Sequence, residues 1–151
     1  MLSDPQLAAL QQTFPRHHVT LAYLFGSRAE GWARPSSDTD IAVLLPHAQF
    51  KTLTLDARVN LINDILDALS TENADVVILN EAPPLLAYEV IKHGKILYED
   101  PKTRPAAEFT VYALNQYLDT KPLRAMRHQY LRERISTWRQ IAEQPKNDYQ
   151  S

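Results

Sequence analysis

The feature that most constrains the fold is a short apolar run, Ile41-Ala-Val-Leu-Leu45, which follows two aspartates and ends at Pro46. An uninterrupted apolar run of this length is typical of a strand that is covered on both faces of a sheet. Proline ends the run because it has no N–H group to donate to a neighbouring strand. Helices must cover both faces of such a sheet, so we expect a layered α/β protein.

The other apolar patterns alternate between strand and helix. Runs rich in β-branched and aromatic residues predict further strands at residues 19–25, 74–79 and 95–98. Apolar residues spaced three and four apart predict helices at residues 3–16, 52–70, 83–93 and, with a bend near Lys121-Pro122, 108–143. This order predicts an α/β (α+β) fold with a mixed sheet of about four strands, flanked by helices, and a C-terminal helical segment.

Length and composition indicate one main domain with an extension. The chain has 151 residues, of which 44% are hydrophobic and 23% charged, and this balance excludes a disordered chain, a collagen-like chain and a coiled-coil rod. We expect residues 1–100 to form the domain and residues 101–151 to form a helical extension behind a proline-containing linker. Apolar residues of the extension, such as Leu118 and Trp138, pack either on the domain or on a partner protein, and both alternatives stay open.

No sequence feature points to a membrane or to secretion. No stretch approaches the ~18 uninterrupted apolar residues that a membrane helix needs, and the N-terminus has no basic and apolar leader. Cysteine is absent, which excludes disulfides, thiol nucleophiles and cysteine metal sites. We therefore expect a cytoplasmic protein that has no membrane partner.

Charge is distributed unevenly along the chain. Residues 1–100 contain 7 Lys and Arg residues against 13 Asp and Glu residues, whereas residues 101–151 contain 9 against 5. This modest basic excess favours a solvated helix face or a protein interface over a nucleic-acid groove. We expect no direct binding of nucleic acid.

Chemistry is concentrated where the first predicted strand ends. Gly26-Ser27 directly follows this strand, and a glycine lets the backbone approach a ligand closely. Backbone amides and a hydroxyl at such a turn can hold phosphate oxygens. Gly26 and Ser27 are therefore candidate phosphate-binding residues.

Three aspartates form a candidate metal site. Asp38 and Asp40 are two residues apart, so they project to the same side if the strand already begins at Asp38. Asp75 lies in the next predicted strand and completes a three-carboxylate cluster if the two strands are neighbours. Adjacent carboxylates repel unless a cation neutralises them, and Mg²⁺ prefers oxygen ligands.

Each of these features also has a plainer interpretation. A lone Gly-Ser after a strand is usually a turn, and a lone Asp-x-Asp is usually a helix cap or part of a loop. The plainer interpretation does not explain their ordered combination, in which Gly-Ser, ten residues, Asp-x-Asp, an apolar strand and an acid-bearing strand follow one another. We therefore favour a site for Mg²⁺ and a nucleoside triphosphate.

Gly26-Ser27, ten residues and Asp38-Thr39-Asp40 resemble the signature of nucleotidyltransferases with the polymerase-β-type palm. The short chain and the third acid, Asp75, resemble the minimal members of this superfamily, the MNT-domain proteins. The resemblance implies transfer of a nucleoside monophosphate from Mg²⁺–NTP to a hydroxyl, with Asp38, Asp40 and Asp75 as catalytic and metal-binding residues. Gly26, Ser27 and Arg28 are the implied triphosphate-binding residues.

The chain departs from the family pattern at one position. Many relatives read Gly-Ser-x-Ala-Arg-Gly, whereas this chain has Glu30 after Ala29. Arg28 or Arg34 could supply the missing positive charge, and the sequence leaves this choice open.

Small MNT-domain proteins resemble the antitoxins of HEPT/MNT toxin–antitoxin pairs. This resemblance implies that the chain transfers AMP from ATP to a tyrosine of a cognate HEPT ribonuclease toxin and so neutralises it. Two alternatives stay open at this point: an antitoxin that acts by occlusion alone, and a nucleotidyltransferase for a small molecule such as an aminoglycoside.

Overall fold

The structure, a computed structural model, describes residues 2–26, 39–71 and 73–120. Its centre is a mixed sheet of four strands in the order β3-β2-β1-β4. β1 pairs antiparallel with β2 and β4, and β2 pairs in parallel with β3. The strands span Leu21–Phe25 (β1), Thr39–Leu44 (β2), Ala74–Ile78 (β3) and Lys95–Glu99 (β4).

The described residues form five α-helices and one 3₁₀ turn, of which the first helix precedes β1, the last follows β4 and the others connect strands. The helices span Asp4–Arg16 (α1), His47–Lys51 (α2), Leu55–Leu69 (α3), Pro84–His93 (α4) and Ala106–Asp119 (α5), and the 3₁₀ turn spans Leu79–Glu81. A parallel pair needs a crossover between its strands, and α2 and α3 supply it between β2 and β3. These elements confirm the predicted α/β (α+β) fold with four strands.

Apolar residues of the sheet form a core on each face. Alternate residues of the strands pack with α1 and α3 on one face, where the buried cluster contains Leu10, Phe14, Val19, Ala22, Leu24, Ile41, Val43, Leu45, Leu61, Ile65, Leu69 and Ile78. The residues between them pack with α4 and α5 on the other face, where the cluster contains Leu21, Tyr23, Ala42, Leu79, Ala87, Val90, Phe109 and Ala113. β2 contributes to both clusters, as its continuous apolar run predicts.

Side-chain hydrogen bonds cap the starts of α1 and α3, and one of them joins the two helices. Ser3 caps α1, since its hydroxyl accepts from the Gln6 N–H while the Gln6 side chain accepts from the Ser3 N–H. The Gln6 side chain also donates to the carbonyl of Leu69, at the end of α3, over 2.7 Å. Thr54 caps the start of α3 by accepting from the Ala57 N–H. These caps fix the helical layer under one face of the sheet.

Sequence patterns located the strands and long helices closely but missed two short elements. α2 and the 3₁₀ turn were not expected, because each is too short to show a periodicity. α4 ends before Gly94 as predicted, although Gly94 has an extended backbone (φ −76°, ψ 158°). The expected bend near Lys121-Pro122 lies outside the described residues. In the part of the chain that is described, no helix is both long and apolar enough to cross a membrane.

Candidate active site

Asp40 lies at the start of β2, between two other strands. Its Cα pairs with that of Phe25 on β1 and with that of Asp75 on β3. Residues paired across a sheet project to the same face, so Asp40 shares the face of Ala42, which α4 and α5 cover. The β2 strand begins at Thr39, one residue before Asp40, and this start places the carboxylate at the end of the sheet.

Asp75 is the second residue of β3 and is exposed at the edge of the sheet. Because β2 and β3 are parallel and Asp40 pairs with Asp75 in register, both carboxylates leave the same face at the same end of the sheet. Like charges at directly paired positions destabilise a sheet. The structure therefore brings together two of the three aspartates that the sequence analysis selected.

Gly26 follows β1 and lies against Asp40. Its backbone has a φ of +79°, a conformation that L side chains rarely adopt, and a Cβ at this position would overlap Oδ2 of Asp40. A glycine therefore meets two demands at once, the left-handed backbone and the space for the carboxylate. The sequence predicts that Gly26 allows the close approach of a ligand, and the structure shows the close approach of the Asp40 side chain.

Three predicted site residues, Ser27, Arg28 and Asp38, lie outside the described residues. Glu30 and Arg34, which bear on the missing family arginine, lie outside them as well. Among the described residues, Gly26, Asp40 and Asp75 come from the adjacent ends of three neighbouring strands. The roles given to all six site residues stay predictions.

The carboxylate pair has the chemistry of a Mg²⁺ site. Asp40 and Asp75 offer only oxygen donors, which Mg²⁺ prefers, and a dication would remove the repulsion between them. Mg²⁺ is held in proteins by one or two carboxylates together with phosphate oxygens and water. In the described ranges no group of three or more His, Cys, Asp or Glu residues is placed to hold a metal. Asp40 and Asp75 therefore fit the cation, and a bound triphosphate would supply further ligands.

Asn80 holds the strand that carries Asp40, and the sequence analysis did not identify it. Its side-chain oxygen accepts from the Leu45 N–H over 2.9 Å, and its side-chain nitrogen donates to the Leu45 carbonyl over 2.8 Å. These bonds satisfy the backbone of a buried residue just beyond β2. An asparagine directly after an apolar strand was the available signal.

Tyr23 connects the same sheet face to α5. It is almost fully buried, and the Thr110 side chain lies near its hydroxyl. Burial raises the pKa of the Tyr23 hydroxyl above its ordinary value, and the nearby Glu99 carboxylate adds to this rise against the opposing effect of Thr110. Tyr23 is thus a neutral anchor on the face of the sheet that carries the two acids.

Comparisons with known proteins show similarity to one protein family and to several solved structures. The model of the family described as polymerase beta, nucleotidyltransferase, matches residues 8–103. The protein adenylyltransferase MntA of Aphanizomenon flos-aquae is 31% identical over 108 residues, which are 64% of this chain and 71% of that protein.

Solved structures resemble the fold over most of its length. A chain in a crystal structure of a toxin–antitoxin with AMP-PNP has a TM-score of 0.65 and 27% identity, covering 85% of this chain and 98% of that one. A chain in a structure of the tri-AMPylated Shewanella oneidensis HEPN toxin in complex with the MNT antitoxin has a TM-score of 0.60 and 26% identity, covering 86% and 96%.

Proposed function

Because the chain belongs to the polymerase beta nucleotidyltransferase family, we propose that it is an antitoxin that transfers AMP from ATP to a tyrosine hydroxyl of a HEPT-type toxin. The observation that carries this proposal is the register of β2 and β3, which places Asp40 beside Asp75 and next to Gly26. The family resemblance expected from the sequence is confirmed. The relatives named above are a protein adenylyltransferase and complexes of a toxin with an antitoxin, one of them with an ATP analogue and one AMPylated.

The residues of the site have separate roles in this proposal. The Gly26 turn, with Ser27 and Arg28, holds the triphosphate. Asp38, Asp40 and Asp75 hold Mg²⁺, which when bound neutralises negative charge on the phosphates and on the attacking oxygen.

The transfer is a displacement at the α-phosphorus of ATP. The acceptor oxygen forms a bond to this phosphorus, and the bond between the phosphorus and the oxygen that bridges to the β-phosphate breaks. Pyrophosphate leaves with the electron pair of that bond. The Asp75 carboxylate takes the proton of the acceptor hydroxyl, because it lies on the exposed edge of the site where an acceptor can reach it.

The proposal also covers the partner and the location. The partner is the cognate toxin, without membrane or nucleic acid, and the reaction takes place in the cytoplasm, where ATP is available. The division into a domain of residues 1–100 and an extension of residues 101–151 stays a prediction. Of that extension, α5 packs on the sheet through Phe109 and Ala113, which leaves the later residues for contact with the toxin.

Intact-mass spectrometry of the toxin, coexpressed with this protein, tests the proposal. We expect the toxin to gain the mass of one or more adenylyl groups with the wild-type protein, none with Asp40→Asn and a much smaller modified fraction with Asp75→Asn. Asp67→Asn is the matched control, since Asp67 is an exposed acid on α3, and this variant should modify the toxin as the wild type does.

The outcomes separate the three functions. An unmodified toxin that still copurifies with the wild-type protein contradicts the transfer and favours occlusion. If the toxin is not modified and forms no complex with the wild-type protein, a small-molecule acceptor is favoured. Modification that persists in Asp40→Asn removes this carboxylate from the site.

A further inference from the structure

β3 is an edge strand whose outer side has an alternating pattern of free backbone groups. The Asn73 carbonyl accepts from the Thr39 N–H over 3.2 Å, so it points toward β2. In a parallel ladder, alternate residues direct both backbone groups to the same neighbour. Asp75 therefore bonds toward β2, while Ala74 and Val76 direct their N–H and C=O groups to the outer side of the sheet, where the described residues place no further strand.

The last three residues of β3, Val76, Val77 and Ile78, line a groove of about 260 Å³. α3 contributes Ile62 to one wall and α4 contributes Leu86 to the other, and both side chains are half-buried. An ion pair between Arg58 and Glu81 closes the groove beyond the end of β3. At the other end, the strand leads to Asp75. The groove is thus apolar on both walls and open to backbone hydrogen bonding along its floor.

We propose that this groove binds the acceptor segment of the toxin as an added fifth strand, in an extended conformation that carries the tyrosine. This inference rests on the proposed function and names the surface that delivers its substrate. An extended segment satisfies the outward N–H and C=O groups of β3, and its alternate side chains pack on Ile62 and Leu86. Among the described residues, no other strand covers this edge of β3.

Pleating of the added strand brings the tyrosine to the acids. A residue paired with Asp75 projects to the same face of the sheet as Asp75, so a tyrosine near this position places its ring along the acid-bearing face. Gly26 lies on the opposite side of Asp40 from Asp75. The triphosphate therefore approaches Asp40 from the Gly26 side and the acceptor from the Asp75 side, which is compatible with an attack on the α-phosphorus opposite the leaving pyrophosphate.

The other edge of the sheet lacks this geometry. β4 is three strand positions away from β3, or about 14 Å at ~4.8 Å per strand. Its exposed apolar residue, Ile96, lies beside β1 and not beside an acid. Ile96 therefore provides a matched control for variants of the groove.

Steady-state kinetics with the toxin as acceptor give the first test. We expect Ile62→Glu to raise the KM for the toxin at least tenfold and to leave the KM for ATP unchanged, because a carboxylate in the groove wall disfavours apolar side chains of the added strand. Ile96→Glu makes the same change on the other edge and should leave both values unchanged. Equal effects of the two variants on the KM for the toxin would overturn the proposal.

Hydrogen–deuterium exchange of the wild-type protein gives a second test that does not depend on a variant folding. The toxin is added with α,β-methylene ATP, whose α–β linkage is not cleaved. We expect the Ala74 and Val76 amides to exchange at least tenfold more slowly in the complex. If the wild-type protein modifies the toxin with ATP but these amides exchange as fast in the complex as without it, the groove proposal is wrong and the proposed function stands. If the wild-type protein transfers no AMP, both fail together.

Discussion

Asp40 and Asp75 are paired in register on adjacent parallel strands, so their carboxylates leave the same face of the sheet at the same end. Their Cα atoms are separated by about one strand spacing, ~4.8 Å. In the absence of a cation this arrangement costs stability, because two like charges lie side by side. The site is therefore expected to exchange stability for function, and this exchange can be measured.

Replacing Asp75 by its amide should lower activity and leave the fold at least as stable. We expect Asp75→Asn to reduce AMP transfer at least about a hundredfold, or about 2.7 kcal/mol in transition-state free energy, because the base is lost. Its free energy of unfolding without Mg²⁺ should be equal to that of the wild type or up to about 1 kcal/mol higher. Kinetics of toxin modification and urea denaturation measure the two effects.

Measuring ATP binding separates a loss of catalysis from a loss of nucleotide binding. Asp75→Asn should retain part of the affinity for ATP. Unchanged transfer in Asp75→Asn would exclude Asp75 from the site, and a marked loss of stability would show that the pair is structural.

Gly26→Ala should destabilise the protein for two separable reasons. The left-handed backbone costs an alanine about 1–2 kcal/mol, and the overlap of the new Cβ with Oδ2 of Asp40 adds to this cost. In an Asp40→Ala background only the backbone cost remains, so the effect of Gly26→Ala on the free energy of unfolding should be smaller. A double-mutant cycle in urea measures the difference, and additive effects would show that the two residues do not interact.

Asn80→Ala should destabilise the end of β2. The substitution leaves the buried N–H and C=O groups of Leu45 without their partner, at a cost of about 1–3 kcal/mol. Asn60→Ala, on the exposed surface of α3, is the control and should change the free energy of unfolding by less than about 0.5 kcal/mol. Chemical denaturation of both variants tests whether Asn80 stabilises the end of β2. Equal free energies of unfolding for Asn80→Ala and Asn60→Ala would contradict this role.

Tyr23→Phe should change how stability depends on pH at the alkaline end. The pKa of Tyr23 is raised in the folded protein, so the folded state keeps this proton at a pH where the unfolded state has lost it. The resulting stability is complete below pH ~10 and is lost as pH rises through the folded-state value. The free energy of unfolding of the wild type, relative to that of Tyr23→Phe, should therefore fall as pH rises above ~10.

Urea denaturation of the wild type and of Tyr23→Phe, from neutral pH to above pH ~10, measures this difference. Tyr98, whose pKa burial also raises, is present in both and cancels in the difference. A difference that stays constant with pH would show that the Tyr23 hydroxyl titrates alike in the folded and unfolded states.

Periodicity predicted the elements well because apolar residues must face the core. The run that ends at Leu45 could be assigned to a doubly covered strand from its residues alone, and β2 confirms this. From the sequence, Asp75 could be placed beside Asp40 only if their two strands were neighbours. Strand order and direction depend on how α3 crosses the sheet, and the sequence patterns do not show this. The space that Gly26 leaves for the Asp40 carboxylate likewise depends on contacts between strands.

The edge position of β3 could not be predicted for the same reason. Val76 and Val77 look like ordinary core residues in the sequence, and only the strand order shows that their strand is at the edge of the sheet that the described residues form. Asn80 was missed because a single polar residue after a strand has no periodicity.

The hydrophobic core fixes the register of β3 against β2, and with it the alignment of the two acids. Sliding β3 by one residue against β2 would turn Asp75 toward the cluster that contains Ile65 and would turn Ile78 out of it. Such a misaligned sheet would bury a charge and expose apolar surface, so it would be less stable than the observed sheet. The packing of the hydrophobic core therefore also fixes the pairing of Asp40 with Asp75.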